Sequence, residues 1–224
     1  MKKSVGFVLL GLIIVAMTAF RPATSKRVIF FGDSITQQGA VGNGYINIMH
    51  WMLDSTGRSF QYDLIGAGIG GNKIYDLLFR VDQDVIAKKP DIVYVFIGVN
   101  DVWAKTTSHT GTDADRFDRF YEALVKKLRA AGIQVIICTP MCIGEKRDHK
   151  NDQDPELDVY SQLAREVAYR NDVTVCDLRA AFFTYNQGNN PTNKRSGNLT
   201  TDGVHLNDAG NTFVATEMLS VLPK

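Results

Sequence analysis

Cysteine is scarce in this chain, net charge is almost absent, and only one long apolar run occurs. Cys138, Cys142 and Cys176 are the only three cysteines. An odd number cannot pair completely within one chain, and their spacing does not make a metal cluster. Two of them sit in apolar runs, and a domain of this size does not need covalent staples. Small buried core residues are therefore the favoured reading over a disulfide. Lys and Arg number 25 against 24 Asp and Glu, a formal charge of +1. Such a balance gives no global field to concentrate nucleic acid or an anionic membrane, so no nucleic-acid partner is expected and a small or neutral molecule is. The 224 residues suffice for one domain with a sizeable core, and a second domain is not required.

The single long apolar run lies at the start. Met1-Lys2-Lys3 precedes an uncharged stretch over residues 5–20, and Arg21-Pro22-Ala23-Thr24-Ser25 follows. This is the layout of a secretory signal, with small residues suited to cleavage before Lys26. It divides the chain into a leader, 1–25, and a domain, 26–224, with an exported mature protein that has no stable membrane association. The run is also close to the ~17-residue lower limit for a spanning helix, so an uncleaved N-terminal membrane anchor is the competing reading. The first cysteine is Cys138, so no cysteine near this segment could carry a lipid.

Beyond the leader, apolar runs rich in β-branched residues recur at 27–31, 62–65, 92–97, 134–138 and 173–176. Most are continuous instead of alternating, which suits strands buried on both faces of a parallel sheet. Between them lie stripes of helical period. Tyr45, Ile48, Met49, Met52 and Leu53 form one, and Ile74, Leu77, Leu78, Val81 and Val85 another. Phe117, Phe120, Tyr121, Leu124, Val125 and Leu128 follow, then Leu157, Tyr160, Leu163, Ala164 and Val167. Leu206, Ala209, Phe213, Val214 and Val221 make the last. Each is the core-facing surface of a helix. Alternation of strands and helices predicts a three-layer α/β/α sandwich. The stretch 187–204, rich in Asn, Gly, Thr and Lys, is expected to be irregular. Its glycosylation triplet, Asn198-Leu199-Thr200, is short enough to arise by chance.

Ligands of an open α/β sheet bind beyond the carboxyl ends of its strands. Three motifs stand there. The first strand runs into Gly32-Asp33-Ser34-Ile35-Thr36, which places a serine at the ligand edge with backbone N–H groups around it. Alone, that segment would equally suit a turn in which Asp33 or Ser34 caps a helix. The third strand runs into Gly98-Val99-Asn100-Asp101, where an asparagine amide either donates to a developing oxyanion or closes an Asx turn. The second is followed by Gly66-Ala67-Gly68-Ile69-Gly70-Gly71-Asn72, whose glycines allow bare backbone N–H groups to face a ligand. Its position on a second strand and its spacing disfavour a dinucleotide fingerprint. Near the other end stands Asp202-Gly203-Val204-His205. A serine hydroxyl needs an imidazole to take its proton, and the imidazole needs a carboxylate to fix its tautomer, so this turn could supply both. By itself Asp-x-x-His more often caps a helix beside a surface histidine. His50, His109 and His149 lack a second ligand at metal spacing, and no metal is expected.

Taken together and in order, these four blocks resemble the SGNH, or GDSL, hydrolases over nearly all of the domain. The resemblance implies a flavodoxin-like sheet of five parallel strands in the order 2-1-3-4-5. It implies Ser34 as nucleophile, His205 as general base and Asp202 as its orienting acid. The N–H groups of Ser34 and Gly71 and the side chain of Asn100 would form an oxyanion hole, and no cofactor is called for. One departure is Gly66, where the family's glycine block often begins with Asn. The activity implied is cleavage of a carboxylic ester through an acyl-enzyme, with an O-acetyl group on carbohydrate as the leading substrate by family analogy. A lipase, lysophospholipase or thioesterase acting on longer acyl chains is the enzymatic alternative, and a non-catalytic carbohydrate-binding protein on the same scaffold is the alternative of another class.

Overall fold

The computed structural model describes residues 25–223. The expected leader lies outside the described residues, except for Ser25. Five strands form one parallel sheet: β1 (Lys26–Gly32), β2 (Tyr62–Gly68), β3 (Ile92–Phe96), β4 (Gln134–Cys138) and β5 (Thr174–Cys176), in the order β2-β1-β3-β4-β5. Both the number and the order match the expectation. Val28 of β1 pairs with Leu64 of β2 and Ile92 of β3, which sets the register across the centre.

The continuously apolar runs follow from burial on two faces. Adjacent residues of a strand point to opposite sides of the sheet. Phe30 stacks on Tyr94 with ring centroids 4.9 Å apart and meets the edge of Tyr45 from α2 (Tyr45–Ser55). Its neighbour Phe31 lies under the guanidinium of Arg80 from α3 (Ile74–Asp84), 4.3 Å from the ring centroid. Both phenylalanines are almost wholly buried, so the helical layers on both sides require apolar contacts from one strand. On one face α2 packs against α8 (Asp208–Ser220). On the other, α3, α5 (Ala114–Ala130) and α6 (Asp154–Arg170) lie side by side. These five helices carry the five predicted stripes.

Three helices had no stripe of their own in the sequence: α1 (Ser34–Gly39), α4 (Val99–Thr107) and α7 (Leu178–Asn189). The last takes up the first residues of the stretch expected to be irregular. β2 is also longer than its apolar run, because Gly66, Ala67 and Gly68 continue the ladder opposite Phe30, Phe31 and Gly32. At Gly68 a side chain is impossible: a Cβ there would stand 2.1 Å from the Gln37 nitrogen and 2.6 Å from the Asp33 carbonyl oxygen. That close approach seats α1 on the end of β2. The three cysteines are buried, as expected, and stand as free thiols. Among the described residues no helix is long and apolar enough to cross a membrane.

Candidate active site

The carboxyl ends of β1, β2 and β3 converge with the turn that precedes α8. Ser34 is the first residue of α1, and Asp33 caps that helix by accepting the Ile35 N–H at 2.9 Å. The cap and the ligand-edge serine, alternatives in the sequence, thus occur together. Ser34 Oγ lies 3.0 Å from His205 Nε2, and His205 Nδ1 lies 2.7 Å from Asp202 Oδ2. A carboxylate only accepts, so Nδ1 carries the proton and Nε2 presents its lone pair to the serine hydroxyl. Such a relay can take a proton from a hydroxyl as it attacks a carbonyl. Asp202 does not cap α8, whose N-cap is Asn207. Its other oxygen instead accepts the N–H groups of Val204 and His205 at 2.9 and 2.8 Å, closing the turn on the carboxylate. Gly203 lies inside that turn at φ 99°, a conformation that L side chains rarely adopt.

The glycine segment after β2 lies beside Ser34, tethered on both sides of Gly71. The Gly70 N–H donates to Gln37 Oε1 at 3.0 Å, and the Asn72 carbonyl accepts from Asn100 Nδ2 at 3.1 Å. Neither the Gly71 N–H nor the Ser34 N–H has an acceptor among the described residues. Asn100 sits in the first turn of α4, and its amide also reaches Asp33 Oδ2 at 3.4 Å. The amide therefore joins two segments of the site and does not close a local turn. All five residues singled out in the sequence come to one edge of the sheet.

A family model described as the GDSL-like lipase/acylhydrolase family matches residues 30–213. The chain belongs to this family. It is a carboxylic ester hydrolase. A solved structure named as the acetyl xylan esterase AlAXEase shares 54% identity and superimposes with a TM-score of 0.86, covering 88% of this chain and 100% of that one. An acetylxylan esterase of Geobacillus stearothermophilus is 29% identical over 71% of this chain and 78% of its own length. The crystal structure of Axe2, an acetylxylan esterase from that organism, has a TM-score of 0.77 at 25% identity, with 89% and 95% of the two chains covered. Axe2 has also been solved as catalytic mutants, one with a serine and one with a histidine changed to alanine. A third relative, the uncharacterized lipoprotein YqeF of Bacillus subtilis, is 24% identical over 76% of this chain and 78% of its length.

Electrostatics around the hydrolase's serine are uneven. Burial pushes the Asp33 carboxyl up to about 7, the Ile35 N–H offsets part of that, and the nearby Asp101 carboxylate adds to it. Burial likewise raises Asp101 to about 6, against the Ile74 N–H that its carboxylate accepts. Asp202 behaves in the opposite way: burial alone would raise it, but hydrogen bonds from the His205 ring and from the His205 and Val204 N–H groups hold it below the usual carboxylate range. The site so keeps a charged carboxylate at the histidine, while burial makes Asp33, next to the serine, and Asp101 reluctant to ionise. Among the described residues no group of three or more His, Cys, Asp or Glu side chains is placed to hold a metal ion.

Three further side chains shape this edge without having stood out in the sequence. Arg80 donates to the carbonyls of Gly32 and Ala67 at 2.8 and 3.0 Å and to Asn72 Oδ1 at 2.7 Å, fastening the glycine segment to the ends of β1 and β2. Glu145 is wholly buried and accepts the N–H groups of Asn198, Leu199 and Thr200 and the Thr200 hydroxyl. Thr200 Oγ1 in turn accepts the Gly203 N–H at 2.9 Å, so the carboxylate is wired to the turn that bears Asp202 and His205. Trp103 presents its ring to the His205 imidazole edge-on, with centroids 6.2 Å apart.

Proposed function

We propose that this hydrolase removes acetyl groups from acetylated carbohydrate of the xylan type, with Ser34 as nucleophile, His205 as general base and Asp202 as the orienting acid. The observation that carries the reading is the continuous relay from Ser34 Oγ to His205 at 3.0 Å and on to Asp202 at 2.7 Å. Ser34 Oγ attacks the acetyl carbonyl carbon while its proton passes to Nε2. The tetrahedral oxyanion faces the free N–H groups of Ser34 and Gly71. It also takes a hydrogen of the Asn100 amide that reaches Asp33 only at 3.4 Å in the resting site. Collapse breaks the bond to the sugar oxygen, which leaves with the proton from Nε2. Water then attacks the acyl-enzyme, gives its proton to Nε2, and releases acetate and the free serine.

The substrate class is supported by the acetylxylan esterase relatives. The assignment of Ser34 and His205 is supported by the catalytic serine and histidine of Axe2. The leader and the lipoprotein relative together support export, with a mature domain of residues 26–224, and the mass of the protein recovered from cells tests that boundary. Aryl esters of increasing acyl length, assayed beside acetylated xylo-oligosaccharides, test the substrate reading. A steep fall in kcat/KM beyond acetyl, with turnover of the acetylated sugar, is expected. A rise toward long chains would replace it with a lipase or thioesterase.

A further inference from the structure

A cavity of about 240 Å3 lies one residue removed from the relay and approaches it on two sides. One wall is Trp103, whose indole meets the His205 ring. The other includes Ile143 and Arg195. The chain at both positions packs on the relay turn: the Gly144 N–H donates to the Gly203 carbonyl at 2.7 Å, and the Arg195 carbonyl accepts the Glu145 N–H at 2.8 Å. Built on Gly203, a Cβ would lie 3.2 Å from Gly144 Cα and 3.4 Å from the Arg195 carbonyl oxygen. Residues that line the cavity thus touch both the histidine and the turn that holds it, while no residue of the relay itself lines the cavity.

Its chemistry is mixed in a specific way. Trp103 and Ile143 supply its only apolar side chains. Asp152 and Arg195 are exposed on the rim, and neither side chain has a hydrogen-bond or ion-pair partner among the described residues. Gln153 spends one amide hydrogen on the Val102 carbonyl at 3.2 Å and keeps its oxygen for another donor. At about 30 Å3 per water the cavity holds about eight, room for one sugar ring. An indole face covers the C–H face of a pyranose, while a carboxylate, a guanidinium and an amide oxygen match the hydroxyls at its edge.

We propose that this cavity is the subsite for the alcohol side of the substrate and takes one pyranose unit of an acetylated xylo-oligosaccharide. The alcohol-side role rests on the esterase reading above; sugar binding itself does not. The test exploits the presence of only two tryptophans, Trp51 and Trp103. In a Trp51→Phe protein the emission reports Trp103 alone, and titration with unacetylated xylo-oligosaccharide requires no chemistry. A saturable change in emission is expected. Asp152→Ala with Arg195→Ala should weaken it about tenfold, and should lower by a similar factor the ratio of kcat/KM for acetylated xylo-oligosaccharide to that for 4-nitrophenyl acetate. Absence of saturable binding, or binding and ratio both untouched by the double substitution, would overturn the subsite. Turnover of the aryl acetate by the same protein reports on the esterase reading separately. Sugar binding without that turnover would count against the esterase and not against the sugar site, whereas turnover without sugar binding would remove the subsite alone.

Discussion

The Asn100 amide has two hydrogens and, in the resting site, two acceptors: the Asn72 carbonyl at 3.1 Å and Asp33 Oδ2 at 3.4 Å. The shorter bond fastens the glycine segment, and the longer one is weak enough to be exchanged for an oxyanion. An interaction that strengthens only as the oxyanion forms acts on turnover more than on binding. Asn100→Ala should therefore lower kcat by about 100- to 1,000-fold with little change in KM. Loss of the tether should add only about 1 kcal/mol of destabilisation. A lowered melting temperature with near-normal kcat in the folded protein would leave Asn100 as a tether alone. Asp33 makes a different forecast. Its carboxyl is raised by burial from an ordinary 3.8 to about 7, so between those values the folded chain holds a proton that the unfolded chain has lost. Stability contributed by that proton is present below about pH 3.8 and is lost as the pH climbs through about 7. Asp33→Asn keeps an oxygen for the Ile35 N–H without the charge. Its melting temperature should gain on the native protein as pH rises from 4 to 7, by on the order of ten degrees. A constant offset across that range would show that burial does not raise this carboxyl.

At the scale of elements, what could be read in the sequence follows from how burial writes itself into residue type. The central strands β1, β3 and β4 are continuously apolar beyond the polar residues that open β1 and β4, because both faces are covered there, and their runs gave the strand boundaries to within a residue. α7 was hidden for the converse reason. Its buried positions include Arg179 and Asn186 as well as Leu178 and Phe182, so polar residues stand where a stripe would be apolar. Arg179 is accommodated there by the carboxylates of Asp154 and Asp158 at 2.9 and 2.8 Å, a partnership between helices that no local pattern announces. Glu145 was hidden likewise: it begins a charged segment, Glu145-Lys146-Arg147-Asp148, that reads as solvated surface. Its carboxylate nevertheless organises the segment before the histidine turn. Glu145→Ala would leave three N–H groups and a hydroxyl without their acceptor, a loss on the order of 3 kcal/mol or more. Hydrogen exchange at the Leu199 and Thr200 amides should then accelerate, and kcat/KM should fall, with Glu145→Gln recovering part of both. Unchanged exchange and turnover in the alanine variant would show that the turn holds its shape without this carboxylate.

Across the whole molecule, Ser34 and His205 stand 171 positions apart and meet only because β1 lies near the middle of a parallel sheet whose ligand edge also receives the turn before α8. The motifs were legible because each sits where a strand ends or a helix begins, and the parallel topology brings those ends to one edge. The wiring was not legible, since distances, burial and the shared proton depend on contacts between segments far apart in sequence. The central claim is that the fold makes one particular hydroxyl nucleophilic, and its most direct test is covalent labelling with an organophosphonate followed by mass spectrometry of the digested protein. A single adduct on the peptide containing Ser34 is predicted, absent from Ser34→Ala and lost in denaturant in parallel with unfolding. An adduct on another side chain, or labelling and ester turnover at the native rate in Ser34→Ala, would contradict the account.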